Sequence, residues 1–236
     1  MATDVTERKQ NEEAVARQNK RLEALQKAMS DPEQSEADTL QAIICESCQL
    51  LDMERAYIGR IDGTRRVVEY AFPAEGKPQP GASHEWMTTC CGLAVEAQGP
   101  VLEHDLGASR YRDSDCCRIR GYHSYAGTPI RTSRGDYGVL SFTRKTPRPL
   151  PFDGQDRDFL QLVAGLIGAI VDRLLSGKEL LQRAEELSAF NQAMINRESR
   201  VIELKEEINR LAQDLGRAAP YEAIWDAEPD ETGGEA

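Results

Sequence analysis

The chain has 236 residues, with 29 lysines and arginines against 40 aspartates and glutamates, and a formal net charge of −11. This acidic balance excludes general nucleic-acid binding, which needs a basic surface, and gives no attraction to an anionic membrane. The most apolar stretch, near residues 160–175, contains Asp172 and Arg173, so we expect no transmembrane span. The first ten residues lack an apolar signal region, which predicts a cytoplasmic protein.

Composition divides the chain into four regions. Residues 1–30 are charged, carry apolar side chains at heptad-compatible intervals, and are predicted to form a helix that can pair. Residues 31–175 hold nearly all the glycine, proline and aromatic residues and are predicted to form a globular domain. Residues 176–216 return to a helical pattern, and residues 217–236 form an acidic tail predicted to be disordered. The apolar positions of the first helix are Val15, Leu22, Leu25 and Met29.

Within the globular region, the elements are predicted in the order helix, two strands, a long excursion, three strands and helix. The excursion includes a short helix near residues 87–98, and an ambiguous segment at 109–120 separates the first of the three later strands from the second. The strands are predicted at residues 56–61, 66–72, 100–105, 122–131 and 137–144, and the main helices at 35–52 and from Asp153 or Gln155 to about Leu175. This order predicts an α+β fold, an antiparallel sheet with helices packed on it.

The second long helix has an apolar residue at one position of six successive heptads. The partner position, three residues later, is apolar except at Arg183 and Arg197, which interrupt the seam. A stripe this long and narrow predicts an intermolecular coiled coil, the alternative being a helix folded back on its own domain. The predicted seam consists of Leu180, Leu187, Phe190, Met194, Val201, Leu204, Ile208, Leu211 and Leu215.

Five stretches of the globular region carry a family resemblance: residues 91–94, 99–105, 125–130, 136–142 and 152–160. Together they resemble a GAF domain, the small sensory module of bacterial signalling proteins, over about residues 31–175. The resemblance implies a ligand pocket on one face of the sheet. GAF pockets accept cyclic nucleotides, haem, bilins and small metabolites, and no motif in this chain selects one of them.

The flanking helices resemble the connectors of multidomain sensor kinases. Residues 4–10 are similar to the sequence that follows a PAS domain, and residues 190–215 to the helix that leaves such sensors. The chain shows no kinase motif, and its histidines, His84, His104 and His123, all lie in the globular region. The resemblance therefore implies a homodimeric sensor that relays a signal to a partner such as a histidine kinase.

Six cysteines in a reducing compartment favour reactive, metal-binding or core roles over structural disulfides. Cys45 and Cys48 have a spacing found in zinc and redox motifs. They lie inside an apolar helical pattern, however, and cysteine packs as a small hydrophobe. We therefore expect both to be core residues.

Two vicinal pairs, Cys90–Cys91 and Cys116–Cys117, are the stronger candidates for chemistry. The GAF resemblance implies that both lie over the pocket face. Four thiols converging there could hold an iron–sulfur cluster or zinc, or form a reversible disulfide, and nearby arginines would favour thiolates. The alternative is that these cysteines merely line the pocket.

Further pocket candidates are histidines and aromatic residues. His104 and His123 could ligate haem iron, although single histidines more often have structural hydrogen-bonding roles. Tyr111 and Tyr125 could line a pocket for a polar organic ligand or nucleotide. The cofactor, if one exists, is therefore open between an iron–sulfur cluster, haem and a small metabolite.

The enzymatic alternative is a free methionine-(R)-sulfoxide reductase, a GAF-like enzyme that uses pocket cysteines. Cys91 resembles one of its cysteine positions, and Cys116 or Cys117 falls near another. Those enzymes also bind their substrate through acidic groups on central strands, where this chain has Tyr125, Ser141 and Thr143. We therefore expect a non-enzymatic sensor, with the reductase, or a dimerising adaptor with an empty pocket, as the alternatives.

Overall fold

A computed structural model describes the backbone of residues 2–73 and 78–221 and divides the chain into two units, Met1–Leu175 and Ser176–Ala236. The helices are α1 (Ala2–Ala28), α2 (Glu36–Leu50), α3 (Cys91–Ala97), α4 (Asp115–Arg118) and α5 (Gly154–Asp214). The strands are β1 (Arg55–Asp62), β2 (Arg65–Phe72), β3 (Ser83–Glu85), β4 (Val101–Glu103), β5 (Ser124–Thr132) and β6 (Gly135–Arg144). Single 3₁₀ turns lie at Trp86–Thr88 and Leu106–Ala108.

Within the described ranges, the six strands form one antiparallel sheet in the order β3-β2-β1-β6-β5-β4. The predicted α+β class is therefore confirmed. The sequence pattern missed β3 because this strand is only three residues long and follows a segment rich in proline and glycine. In the predicted ambiguous segment, the structure forms the single-turn helix α4.

One side of the sheet, which we call the helix face, carries the apolar residues Ala56, Ile58, Leu140 and Phe142. These side chains pack against α2 and the first part of α5. Each fully buried leucine or isoleucine in such a core contributes roughly 1.5–3 kcal/mol through burial. The core residues from the two helices are Leu40, Ile43, Ile44, Cys48, Phe159, Leu160, Val163, Ile167, Ile170 and Val171.

The last turns of α1 belong to the same core. Leu25 and Ala28 are buried in it, whereas the other predicted pairing positions, Val15, Leu22 and Met29, are exposed. One turn earlier, the buried Arg21 forms an ion pair with the buried Asp156 of α5, and its guanidinium lies 4.8 Å from the ring centre of Phe159. Paired burial of this kind keeps the charge of Arg21 compensated.

The start of α5 is capped reciprocally by two aspartates. The Asp156 amide donates to Asp153 Oδ1 at 2.8 Å, and the Asp153 amide donates to Asp156 Oδ2 at 3.2 Å. Such caps satisfy amides that have no partner inside the helix. Among the described helices, α5 is long and apolar enough to cross a membrane by length and composition alone. Its most apolar window is 44% buried inside the protein.

The second unit contains the rest of α5. All nine residues of the predicted seam are exposed in the single chain. The helix ends before Gly216, which has a φ of 70°, and the chain then turns back so that Tyr221 exchanges two hydrogen bonds with the Asn209 side chain. The predicted disordered tail lies outside the described residues from position 222 onward.

Candidate functional site

The other side of the sheet, which we call the outer face, is buried but largely polar. Strand alternation turns Tyr57 of β1 and Ser141 and Thr143 of β6 to this face, between the apolar residues of the helix face. The register pairs Ser141 with Tyr57 on one side and with Gly127 of β5 on the other, while Thr143 pairs with Tyr125. Two cross-strand rows of side chains therefore form the floor of the site.

Two glycines leave room for long polar side chains to lie across this floor. A Cβ atom at Gly127 would collide with the Tyr125 hydroxyl, and one at Gly59 would lie 2.7 Å from Arg66 Cδ. Both long side chains are almost completely buried, with exposed fractions of 0% for Tyr125 and 5% for Arg66. The missing Cβ atoms therefore allow a phenol and a guanidinium to be buried on the sheet.

A disulfide joins the two segments that cover the outer face. Cys90 immediately precedes α3 and Cys116 lies in α4, and the two are bonded with their Cα atoms 4.9 Å apart. They pack in a cluster with Leu93, Leu106 and Tyr125. The sequence prediction of a reversible disulfide as one use of these cysteines is therefore consistent with a bond between one member of each vicinal pair.

The second cysteine of the first pair has a different environment. Cys91 is buried as a free thiol, with Arg66 Nη1 donating to its Sγ at 3.2 Å and its own S–H directed to Ser141 Oγ at 3.6 Å. Burial lowers the pKa of Arg66, and its electrostatic interaction and hydrogen bond with Cys91 raise it, with a net rise. Arg66 therefore stays cationic.

Several buried polar atoms of this face lack hydrogen-bond partners among the described residues. They are Arg66 Nε, Tyr125 Oη and Thr143 Oγ1. Burial raises the pKa of Tyr125 well above its usual value, so its hydroxyl keeps its proton. Burial, followed by the charge of Tyr122, raises the pKa of Tyr57 to about 12. Unsatisfied buried groups of this kind are costly and call for an explanation.

Tyr57, Arg66 and Thr143 line a small cavity of about 20 Å³, which has room for about one water. It is lined by Tyr57, Arg66, Pro78, Thr89, Cys90, Cys91, Arg120, Tyr122, Ser141 and Thr143. A larger, more open pocket of about 370 Å³ shares Pro78, Arg120 and Tyr122 with it and also includes His84. Burial, and then the charges of Arg120 and the neighbouring Arg66, lower the pKa of His84 below its usual 6.5.

The structure brings some of the other predicted site residues together and leaves the histidines out. Tyr111 and Cys117 are partly buried and pack beside the disulfide cluster. His104 and His123 contribute backbone groups: the His104 carbonyl accepts from Ser124 Oγ at 2.7 Å, and the His123 carbonyl accepts from the Leu106 amide at 2.7 Å. Neither histidine lines the two pockets just described.

Metal binding by the four thiols does not match this arrangement. Cys90 and Cys116 are bonded to each other, which removes both from a set of thiolate ligands. Among the described residues, no group of three or more histidine, cysteine, aspartate or glutamate side chains is placed to hold a metal ion. Zinc and iron–sulfur sites in proteins require such a set.

The other two cysteines lie in α2. Cys48 is buried in the core, where its thiol donates to the Met53 carbonyl at 3.3 Å. Burial, then the charges of Cys45 and Glu54, raises the pKa of Cys48 to about 12. Burial and the charge of Glu46 also raise the pKa of Cys45. Both thiols therefore disfavour the reactive thiolate form.

Sequence reasoning did not select Arg66, Arg120 or Tyr57 as site residues. The strand pattern contained a signal for Arg66. Residues two apart in a strand lie on the same face of the sheet, and Val68, two residues after Arg66, is fully buried. A charged residue in register with buried apolar ones is a candidate for a site. Arg120 lies in the irregular segment after α4, where periodicity gives no orientation.

The geometry described above is that of an antiparallel sheet with helices on one face and a pocket on the other, and it can be compared with known proteins. The GAF domain family model matches residues 33–172. The chain belongs to the GAF domain family. No curated protein matches it.

Several solved structures share the fold. The GAF domain of an Acinetobacter phosphoenolpyruvate-protein phosphotransferase is 15% identical with a TM-score of 0.55, covering 67% of this chain and 97% of that one. The corresponding Coxiella burnetii domain is 15% identical, with a TM-score of 0.56 and coverage of 67% and 96%. The Stigmatella aurantiaca phytochrome photosensory core module is 14% identical, with a TM-score of 0.55 and coverage of 72% and 39%. Such low identities show the fold alone.

Proposed function

We propose that this protein is a cytoplasmic, homodimeric signalling sensor whose GAF domain responds to thiol redox state through Cys90 and Cys116. The observation that supports the proposal is the disulfide across the outer face, which joins the start of α3 to α4. Because α4 is only one turn long and is followed by irregular chain, the bond is a major constraint on this segment. Its reduction would loosen the cover of the pocket.

The switching step is a two-electron thiol–disulfide exchange. A dithiol reductant attacks one sulfur of the Cys90–Cys116 bond, forms a mixed disulfide, and leaves as its own cyclic or intramolecular disulfide. The S–S bond breaks, two electrons and two protons are taken up, and two thiols result. The reverse reaction with an oxidised dithiol restores the bond.

A redox titration tests this proposal. The protein is equilibrated in buffers of defined dithiol potential, and its free thiols are alkylated after denaturation and counted by mass spectrometry. We expect four labels in the oxidised form and six in the reduced form, with a transition above about −300 mV, the upper limit typical of structural disulfides. Cys116→Ser should abolish the transition, and Cys117→Ser, one residue away, should retain it. A disulfide that never forms, or one that is still intact at potentials below about −300 mV, contradicts a sensing role.

The homodimer is supported by the exposed apolar stripe of the second unit. Large apolar side chains such as Phe190 and Leu211 are 63% and 53% exposed in the single chain. A regular stripe of this kind is typical of a coiled-coil seam. The seam arginine Arg183 forms an ion pair with Glu179 of its own helix at 2.8 Å, so the polar interruption is compensated within one chain.

A charge placed in the seam should separate the dimer. Leu204→Asp puts a carboxylate at a seam position, and we expect a shift from dimer to monomer at micromolar concentration in light scattering, with the domain still folded. Leu181→Asp is the control, because Leu181 is also exposed in the single chain, at 67% against 41% for Leu204, but lies outside the seam. A wild-type monomer, or a Leu204→Asp protein that stays dimeric, contradicts a coiled-coil dimer.

The partner in this proposal is a signalling protein such as a histidine kinase. The flanking helices, which resemble kinase connectors, support that choice. A rotation or register change passed along paired helices would carry the state of the disulfide to the partner.

The competing proposal is a thiol-dependent reductase of free methionine-(R)-sulfoxide, favoured by Cys91 beside the disulfide. No carboxylate lines the small cavity among the described residues, so the acidic groups that would bind the substrate ammonium are missing there. An assay with free methionine sulfoxide and a dithiol donor separates the two proposals, because a sensor gives no turnover. Turnover that is lost in Cys91→Ser would favour the enzyme.

A further inference from the structure

Two arginines of the outer face point to a ligand. Arg66 of β2 and Arg120, which follows α4, both line the small cavity. The cavity adjoins the larger pocket at Pro78, Arg120 and Tyr122. The two spaces therefore lie side by side, and these three residues line both of them.

The charge of Arg66 lacks a counter-ion. Neither Arg66 nor Arg120 forms an ion pair with a carboxylate of the part of the chain that the structure describes. The nearest acceptor of Arg66 is the sulfur of Cys91, and its Nε has no acceptor although the side chain is 95% buried. Arg21 is buried to the same extent but is paired with Asp156. A buried, uncompensated charge is strongly unfavourable, so an anion at Arg66 would remove a large penalty.

Several other groups that line the cavity carry hydroxyls, which can donate hydrogen bonds. Thr143 Oγ1 has no partner among the described residues, and Tyr57, Tyr122 and Ser141 contribute further hydroxyls to the lining. Hydroxyls that can donate, together with two guanidinium groups, match a ligand that offers several acceptor oxygens and negative charge.

We propose that this pocket binds a small organic carboxylate, with its head group between Arg66 and Arg120 and its body in the outer pocket. The inner space of about 20 Å³ admits only a compact group, and the outer space of about 370 Å³ has room for a small body beside Tyr122 and His84. Arginine is suited to this role because its fork binds both oxygens of a carboxylate. The inference names a ligand class for the same GAF domain and does not require the disulfide to be redox-active.

Isothermal titration calorimetry of the full chain tests the proposal. The probes are acetate, pyruvate, succinate and benzoate, with inorganic phosphate as the other anion class and succinamide as the uncharged analogue of succinate. We expect saturable one-site binding of at least one carboxylate, and no saturable binding of phosphate or succinamide. Absence of carboxylate binding, or equal binding of phosphate or succinamide, would overturn the proposal.

Variants locate the site. Arg120→Gln should weaken carboxylate binding at least tenfold. Arg118→Gln, the matched control two residues earlier on the exposed side of α4, should change it less than threefold. Arg66→Lys keeps the buried charge but loses the fork, and should also weaken binding tenfold while circular dichroism shows a folded domain. Equal losses in the Arg120 and Arg118 variants would overturn the assignment.

The same titration with Cys116→Ser separates this inference from the proposed redox function. Binding that persists in this variant supports an anion site independent of the disulfide, whatever the redox titration shows. Loss of binding in Cys116→Ser would contradict that independence, because both arginines are retained.

Discussion

The two faces of the sheet are built from the same strands but bury different chemistry. Along β6, Leu140 and Phe142 lie on the helix face, while Ser141 and Thr143 between them lie on the outer face. The helix face packs apolar residues of its central strands against apolar residues of two helices. The outer face meets short segments held together by a disulfide. Because side chains alternate along a strand, β6 contributes apolar residues to the core on one side and polar residues to the candidate site on the other.

The two faces differ most clearly in whether a buried arginine is paired with a carboxylate. On the helix side, Arg21 is paired with Asp156, which also lies 3.5 Å from Arg148. On the outer side, Arg66 has no carboxylate partner among the described residues; it donates to the Cys91 sulfur, and its guanidinium lies 5.9 Å from the ring centre of Tyr57. A fold that needed only stability would compensate both charges. The difference is one reason for placing the proposed site on the outer face, with the helix face as its support.

The largest expected effect comes from a cavity on the helix face. Phe142→Ala removes a fully buried ring from the core, which should lower the free energy of unfolding by about 3–5 kcal/mol. Ser141→Ala, the neighbouring substitution on the outer face, should change it by less than about 1 kcal/mol, because it removes only a long contact to Cys91. Urea denaturation measures both. Equal losses in the two variants would contradict the division of roles between the faces.

A smaller loss of stability is expected at a glycine whose missing Cβ leaves room for a neighbouring side chain. Gly127→Ala places a methyl group against the Tyr125 hydroxyl, which forces the phenol to move and should cost about 1–3 kcal/mol. Gly165→Ala is the control: its Cβ would meet open space on α5, and it should stabilise the helix by roughly 0.5–1 kcal/mol. Thermal unfolding compares them. A stable Gly127→Ala protein with an unmoved Tyr125 would contradict the packing described here.

The fold was predictable from sequence because its strongest signals are local. Apolar periodicity located α2 and the start of α5, and alternation located β5 and β6 to within two residues at their ends. The short strand β3 was missed because its stability comes from pairing with β2, a long-range contact that leaves little trace in three residues. The packing of Leu25 in the core depends in the same way on tertiary contacts.

The candidate site was predictable only in part. The resemblance placed both cysteine pairs over the pocket, and the structure joins Cys90 to Cys116. Which cysteine of each pair turns inward depends on helix orientation, which sequence spacing does not give. Arg66 was missed because charged residues on strands are usually solvent-exposed, and its burial depends on Gly59 in the neighbouring strand.

The smallest expected effect lies at the edge of the helix layer, in the ion pair between Arg17 of α1 and Asp153 before α5. Arg17 Nη1 lies 2.7 Å from Asp153 Oδ2, and both side chains are about half exposed. Burial alone would raise the pKa of Asp153, but the hydrogen bond from the Asp156 amide and the charge of Arg17 lower it below its usual 3.8. Because the native carboxyl holds its proton less tightly than the unfolded one, the ion pair's contribution is present above about pH 4 and is lost as the pH falls through the lowered pKa.

Arg17→Gln should therefore lower the free energy of unfolding by less than about 1 kcal/mol at pH 7, because exposed pairs are weak. The difference from wild type should shrink as the pH falls through the lowered pKa of Asp153, because the carboxyl then loses its charge. Lys20→Gln, on the same helix and without an ion pair among the described residues, removes the same charge and should show no such pH dependence. Urea denaturation from pH 2 to 7 makes the measurement. A loss in Arg17→Gln that persists at low pH would mean that the arginine stabilises α1 by packing and not through its charge.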